Sequence, residues 1–140
     1  MLRPLPAYHY KIALSVLLLC AVTFFSSHEE ASGAGLVSGR YLSTTGKTLV
    51  LSLSIQNPSP SNLIVEQYLS KGNSIIATSP RAIKIDASKH QAKWLFRNPL
   101  SGKVSLTIQL EEPLVGGASA LIRYRDPQNG GAFTELKISP

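Results

Sequence analysis

The sequence predicts an all-β domain, and three observations support this fold class. Apolar and polar residues alternate in short stretches, most clearly in "TLVLSLSI" and "KVSLTIQL". Segments rich in glycine, proline, asparagine and serine separate these stretches at short intervals. No window after residue 33 shows apolar residues at helical spacing over three turns. A sheet with one apolar face needs a second apolar layer, so we expect two packed sheets.

The first 33 residues are predicted to be a targeting segment that forms an apolar leader helix. Lys11 precedes an uninterrupted apolar run over 12–25, which is shorter than the roughly 20 residues that span a bilayer comfortably. Small residues before Ala34 suit a cleavage site. We expect a cleaved signal peptide over 1–33 or an uncleaved anchor, and both export the remainder. A buried cytosolic segment is the third alternative.

The chain after the leader is basic and has no cysteine, since Cys20 lies in the apolar run. From Ala34 onward, twelve Lys or Arg residues stand against six Asp or Glu residues, so this part keeps the whole net charge of +6. Stability without disulfides favours a bacterial or archaeal envelope protein. The spread of the charge favours anionic surfaces and lacks the clustering that nucleic-acid binding needs, so no nucleic acid is expected.

The elements follow in order from Thr48. The glycine-rich stretch over 34–46 is predicted to be a flexible linker, with a loosely held first strand as the alternative, and the domain to span 47–140. The first strand, "TLVLSLSI", ends at the prolines of "NPSPSN", which cannot donate to a ladder. The later strands are predicted in "LIVEQYL", "IIAT", "AIKI", "AKWLF", "KVSLTIQL", "ASALIRYR" and "AFTELKI", with "DPQNGG" as the turn before the last. This spacing is typical of an immunoglobulin-like sandwich of about seven strands, with a small barrel as the alternative.

Asn57, Val65, Trp94 and Gly102 follow an ordered pattern: an asparagine turn, a strand, a tryptophan that opens a middle strand, and a glycine that starts the next. In this respect the stretch from Thr48 to Leu110 resembles the repeat-type immunoglobulin-like domains of bacterial and archaeal surface proteins. The resemblance implies an immunoglobulin-like sandwich in a surface protein. Two departures are the single copy and the proline-rich "NPSPSN" in place of an asparagine-glycine turn.

The segment "DASKHQ" contains the residue types of a hydrolase, Asp86, Ser88 and His90. Catalytic triads converge from distant parts of a chain, whereas neighbours in a turn bond local backbone. We therefore expect a turn here, no catalytic residue and no enzyme. With one histidine after the leader, and Asp126 lacking a second nearby carboxylate, no metal or cofactor is expected either.

Lys84, Lys93 and Arg97 are the predicted binding residues. Strand alternation places them on a solvent-facing side if the apolar residues between them face the core, namely Ile83, Ile85, Trp94 and Phe96. With Arg81 they would form a positive strip toward an envelope or surface protein, an anionic glycan or a lipid surface. The alternative is a solvated face whose lysines protect a sheet edge. Trp94 is predicted to fill the core rather than bind a ligand.

These observations predict an exported, non-enzymatic module that binds or helps assemble a cell-envelope or surface component. The alternative is a membrane-anchored accessory subunit of a secretion, pilus or electron-transfer apparatus, in which residues 12–25 stay in the bilayer and the domain stands on its linker.

Overall fold

The computed structural model describes residues 35–140, and nine β-strands make up most of this part of the chain. The strands are β1 (Val37–Ser43), β2 (Thr48–Ile55), β3 (Asn62–Leu69), β4 (Ile75–Ser79), β5 (Lys84–Asp86), β6 (Gln91–Arg97), β7 (Gly102–Leu110), β8 (Ala118–Asp126) and β9 (Ala132–Ile138). They form a four-stranded sheet, ordered β1-β2-β7-β4, and a five-stranded sheet, ordered β5-β6-β3-β8-β9. All strand pairs are antiparallel. The all-β prediction is confirmed for the described residues, which form nine strands rather than about seven.

The leader predicted over 1–33, with its apolar run, lies outside the described residues. Within 35–140, no helix is long and apolar enough to cross a membrane. Cleavage and anchoring of the leader both remain predictions.

The two sheets enclose one hydrophobic core, to which both contribute their inward-facing side chains. The predicted alternation of β2 is confirmed, because every second residue is buried, namely Leu49, Leu51, Leu53 and Ile55. The five-stranded sheet contributes the largest side chains, and its buried residues include Leu63, Val65, Trp94, Ile122 and Tyr124. Two apolar layers facing each other exclude water from both, which is the main stabilising contribution in this architecture.

Residues 37–43 form β1, so the stretch over 34–46 contains a strand, the alternative to the predicted linker. β1 pairs with β2, and Leu36 and Val37 are buried in the core. Gly39 faces the inner side, where an added Cβ would overlap Ile138 Cδ1 and lie 3.0 Å from Leu53 Cδ2. At this inward position the side chains of Ile138 and Leu53 already fill the space, so the strand carries no apolar side chain there. Its alternation is therefore too weak to predict from sequence.

We expect Gly39→Ala to lower the free energy of unfolding by about 1–3 kcal/mol, because the new methyl group overpacks the contact with Ile138. Denaturant unfolding followed by circular dichroism measures this change. Gly117→Ala is the matched control, since a Cβ there would lie 3.8 Å from Ser70 Oγ, an ordinary contact. Equal effects of the two substitutions would show that β1 is not seated against β9.

The sandwich has two sides at which an edge strand of one sheet faces an edge strand of the other. The two sides differ in the exposure of their apolar residues. On the β1/β9 side, Ile138 is buried against Gly39. On the β4/β5 side, Ile83 and Ile85 are 61% and 43% exposed. The inward direction expected from strand alternation does not bury them. Ile85 pairs with buried Ala92 and so lies on the inner side of the sheet, but β5 is a three-residue edge strand that no described strand covers.

Candidate functional site

The outer face of the five-stranded sheet is strongly basic. We define the basic face by its six cationic residues, which are Lys84, Lys93, Arg97, Arg123, Arg125 and Lys137. The strand register aligns one row of it across the sheet, because Lys93 lies opposite Lys84 on one side and Glu66 on the other. Three acidic residues share this face, Glu66, Asp86 and Glu135. The face therefore keeps an excess of positive charge.

Glu66 lies at the centre of the basic face and is only 5% exposed. Its Oε1 is 2.9 Å from Lys93 Nζ, and its Oε2 is 2.6 Å from Arg123 Nη2. The hydroxyl of Tyr68, two residues along β3, donates a hydrogen bond to Oε2 at 2.8 Å. A buried carboxylate is costly unless it is paired and hydrogen-bonded, and these three donors meet that requirement.

The ionisation of Glu66 follows from this environment. Burial disfavours the charged form and acts to raise the pKa, but hydrogen bonds from Lys93 and Tyr68 and the charge of Arg123 outweigh it. The pKa of Glu66 is therefore below its ordinary value. The carboxylate is ionised at neutral pH and neutralises part of the charge of Lys93 and Arg123.

Two arginines at one end of the basic face have no such partner. Arg97 lies opposite Asn62, and the guanidinium of Arg125 lies over the ring of Phe133, 4.8 Å from its centroid. Neither forms an ion pair with an acidic residue of the described chain. An open depression of about 370 Å³ beside Arg125 is lined also by Ser59 and Asn98. This end of the face offers charge and space to an external anionic group.

The three predicted binding residues all lie on the basic face. Lys84 and Lys93 are direct cross-strand neighbours, whereas Arg97 lies at the far end of β6. Their environments differ, because Lys84 Nζ is 3.6 Å from Asp86, Lys93 is bound to Glu66, and Arg97 is exposed. Trp94 lies on the opposite side of β6 and is buried, as predicted.

Sequence reasoning did not assign Glu66, Arg123, Arg125 and Lys137 to the face. One signal for Glu66 was present, because it is the only charged residue in the otherwise uncharged strand "NLIVEQYL". The arginines were on the outward side of β8 by alternation, but nothing local indicates that β8 lies beside β3. That adjacency brings them to the site.

Asp86, Ser88 and His90 form a turn between β5 and β6. Ser88 Oγ donates a hydrogen bond to Asp86 Oδ1 at 2.7 Å. This bond is the main cause of the lowered pKa of Asp86, and it outweighs the opposite effect of burial. The ring Nδ1 of His90 lies 2.8 Å from the carbonyl oxygen of Asn73. Asp86 Oδ1 also accepts a hydrogen bond from the Lys89 backbone N–H, as in a turn, whereas the His90 contact joins this turn to Asn73 in the β3–β4 connection. Among residues 35–140, no cluster of three His, Cys, Asp or Glu residues is placed to hold a metal ion.

No protein-family model matches this chain, and no curated protein matches it either. The resemblance to repeat-type immunoglobulin-like surface domains therefore stays a prediction.

Proposed function

We propose that this protein is an exported, non-enzymatic module that binds an acidic surface of an envelope or surface protein through the basic face. The observation that carries the proposal is which charged groups on that face have a partner of opposite charge. Its single buried acid is satisfied by Lys93 and Arg123, whereas Arg97 and Arg125 have no acidic partner in the described chain. Cations without an internal partner attract and orient an external anionic surface.

The composition of the face favours a protein partner over a polyanionic polymer. Half-buried apolar side chains lie between the cations, namely Ile64, Leu95 and Leu121. Protein interfaces combine apolar contact with arginine, whereas binding to a polyanion needs charge alone. An anionic glycan and a lipid surface are the other partners that the experiment below distinguishes.

We also propose that the two-sheet fold is immunoglobulin-like, and the strand order supports this. The order β1-β2-β7-β4 corresponds to strands A, B, E and D of an immunoglobulin sheet, and β3, β8 and β9 correspond to C, F and G. β6 and β5 then lie where variable-type domains have C′ and C″. One departure is that β4 precedes β5 and β6 in the chain, whereas strand D follows C′ and C″ in immunoglobulins.

Export is supported by the apolar run over 12–25 and the basic residue before it. The same run supports the second candidate, a membrane-anchored accessory subunit of a secretion, pilus or electron-transfer apparatus. Mass spectrometry of the mature amino terminus separates the two, because only an anchored subunit keeps residues 12–25.

Binding to polyglutamate at low salt tests the basic face. We expect the double substitution Arg97→Gln and Arg125→Gln to weaken binding roughly tenfold, since each exposed charge pair contributes at most about 1 kcal/mol. Isothermal titration calorimetry measures the affinity. Vesicles of phosphatidylglycerol and soluble polygalacturonate, titrated in parallel, represent the lipid and glycan partners.

The matched control is Arg40→Gln with Lys103→Gln, which removes the same charge from the outer face of the four-stranded sheet. An equal loss in the control would show that net charge, not the basic face, determines binding. Tight binding of vesicles or polygalacturonate without binding of polyglutamate would reject a protein partner.

A further inference from the structure

The open depression of about 370 Å³ at one end of the basic face lies where three chain connections meet, β2–β3, β6–β7 and β8–β9. Among the described residues, Arg125, near the end of β8, is the only charged residue in its wall. The rest of the wall is polar or apolar and consists of Ser59, Pro60, Ser61, Asn98, Pro127 and Gly131. Loops held on a rigid sandwich are common places for ligand binding.

The polar side chains of this wall are free to bind an external group. Within residues 35–140, the guanidinium of Arg125 forms neither an ion pair nor a hydrogen bond, and it lies over the ring of Phe133. The side chains of Ser59, Ser61 and Asn98 form no hydrogen bond within the same residues. The wall therefore presents one positive charge together with two hydroxyl donors and an amide donor.

The loops around the depression are held by their own backbone hydrogen bonds. The N–H of Asn98 donates to the carbonyl oxygen of Ser61 at 2.7 Å, which joins the β6–β7 and β2–β3 connections. The N–H of Gly131 donates to the carbonyl oxygen of Asp126 at 2.8 Å and closes the β8–β9 connection. Asn98 has a φ of 46°, a left-handed conformation in which asparagine is enriched. A site that is formed in advance loses less conformational entropy on binding.

We propose that this depression binds one acidic side chain, aspartate or glutamate, of the partner protein. The carboxylate accepts hydrogen bonds from the guanidinium of Arg125, whose planar fork matches a carboxylate, and from the polar groups beside it. The methylene stem of the acidic residue contacts the rings of Pro60 and Pro127. This inference rests on the proposed function, since it names the residue class that the partner inserts at the end of the basic face.

The charge and the size of the depression favour a single carboxylate. Arg97 lies outside its wall, so one cation faces the ligand and matches one negative charge. A phosphorylated side chain carries a charge of about −1.5 to −2 and is typically bound by a cluster of arginines. The volume is near the lower end of the range for ligand pockets, about 300–1,000 Å³, and so suits one residue. Half-buried Ile64 and Leu95 lie on the adjoining part of the face, where a protein partner can cover them.

The experiment is an NMR titration of the isotope-labelled protein, purified from cells that express the full chain. The probe is a tripeptide of leucine, glutamate and leucine with both termini capped, and the control peptide has glutamine in place of glutamate. We expect the glutamate peptide to cause saturable shifts of the amide resonances of Ser59, Ser61, Asn98 and Gly131. It should bind at least about tenfold more tightly than the glutamine peptide, because hydrogen bonds to a charged group are the stronger ones.

Arg125→Lys separates a defined site from general attraction, because it keeps the charge and removes the planar fork. We expect it to weaken binding of the glutamate peptide about fivefold and to change binding of polyglutamate by less than about twofold, since the total charge is the same. Arg97→Lys is the matched control, since it is the same replacement on the same face but outside the depression. It is expected to leave binding of the glutamate peptide unchanged.

Equal binding of the two peptides, equal effects of the two lysine variants, or resonance shifts away from the depression overturn the proposed site. Inorganic phosphate and galacturonic acid are titrated in parallel, and tighter binding of either one at the same resonances overturns the assignment to an acidic side chain. If polyglutamate still binds the basic face in these cases, the proposed function stands. If neither the glutamate peptide nor polyglutamate binds, both proposals fall.

Discussion

Replacing Trp94 by alanine is expected to lower the free energy of unfolding by about 3–5 kcal/mol. Trp94 is 2% exposed, the largest buried side chain of the core, and lies opposite Val65 on the neighbouring strand. Its indole nitrogen donates a hydrogen bond to the carbonyl oxygen of Pro80 at 2.9 Å. The substitution leaves a cavity between the sheets and removes the contact that holds the β4–β5 connection against β6.

Urea unfolding followed by far-UV circular dichroism measures this loss, because Trp94 is the only tryptophan and its removal eliminates the usual fluorescence signal. Trp94→Phe is the control that keeps an aromatic ring but not the hydrogen bond. We expect it to be clearly less destabilising than Trp94→Ala. An unchanged stability of the alanine variant would mean that Trp94 is not a core residue.

Replacing Glu66 by glutamine is expected to lower the free energy of unfolding by about 1.5–3 kcal/mol, the range for hydrogen bonds to charged groups. The amide keeps the shape of the carboxylate but leaves Lys93 and Arg123 side by side without their counter-charge. Polyglutamate binding should not weaken, because the substitution removes a negative charge from the basic face. Loss of stability without loss of binding separates the structural role of Glu66 from the binding role of the cations.

The same carboxylate predicts a pH dependence. Because the folded state lowers the pKa of Glu66, its ionised form contributes stability above the unfolded pKa of about 4.3, and this contribution is lost as the pH falls through the lower folded pKa. Denaturant unfolding between neutral and acidic pH should therefore show a steeper decline in the wild type than in Glu66→Gln. Glu135→Gln is the control, because Glu135 is exposed and lies 4.0 Å from Arg123. It should retain the wild-type decline.

Much of the fold was predictable because side-chain alternation is a local property. The inward residues of β2 and β7, the buried Trp94 and the outward direction of Lys93 and Arg97 all follow from a period of two residues. The prediction failed where packing departs from that local pattern. β1 has a glycine at an inward position because Gly39 lies against Ile138, and Ile85 is exposed because β5 is an edge strand.

By itself, the sequence determined which residues of each strand share a face, the basic charge of the chain after residue 33 and the absence of cysteine from that part. Only the tertiary structure decided which strands are neighbours. Glu66 and Arg123 are 57 residues apart in the chain, yet they are in contact because β3 pairs with β8. Strand pairing joins residues whose sequence separation leaves no local pattern, so the basic face and the open edge at β5 exist only once the sheets have formed.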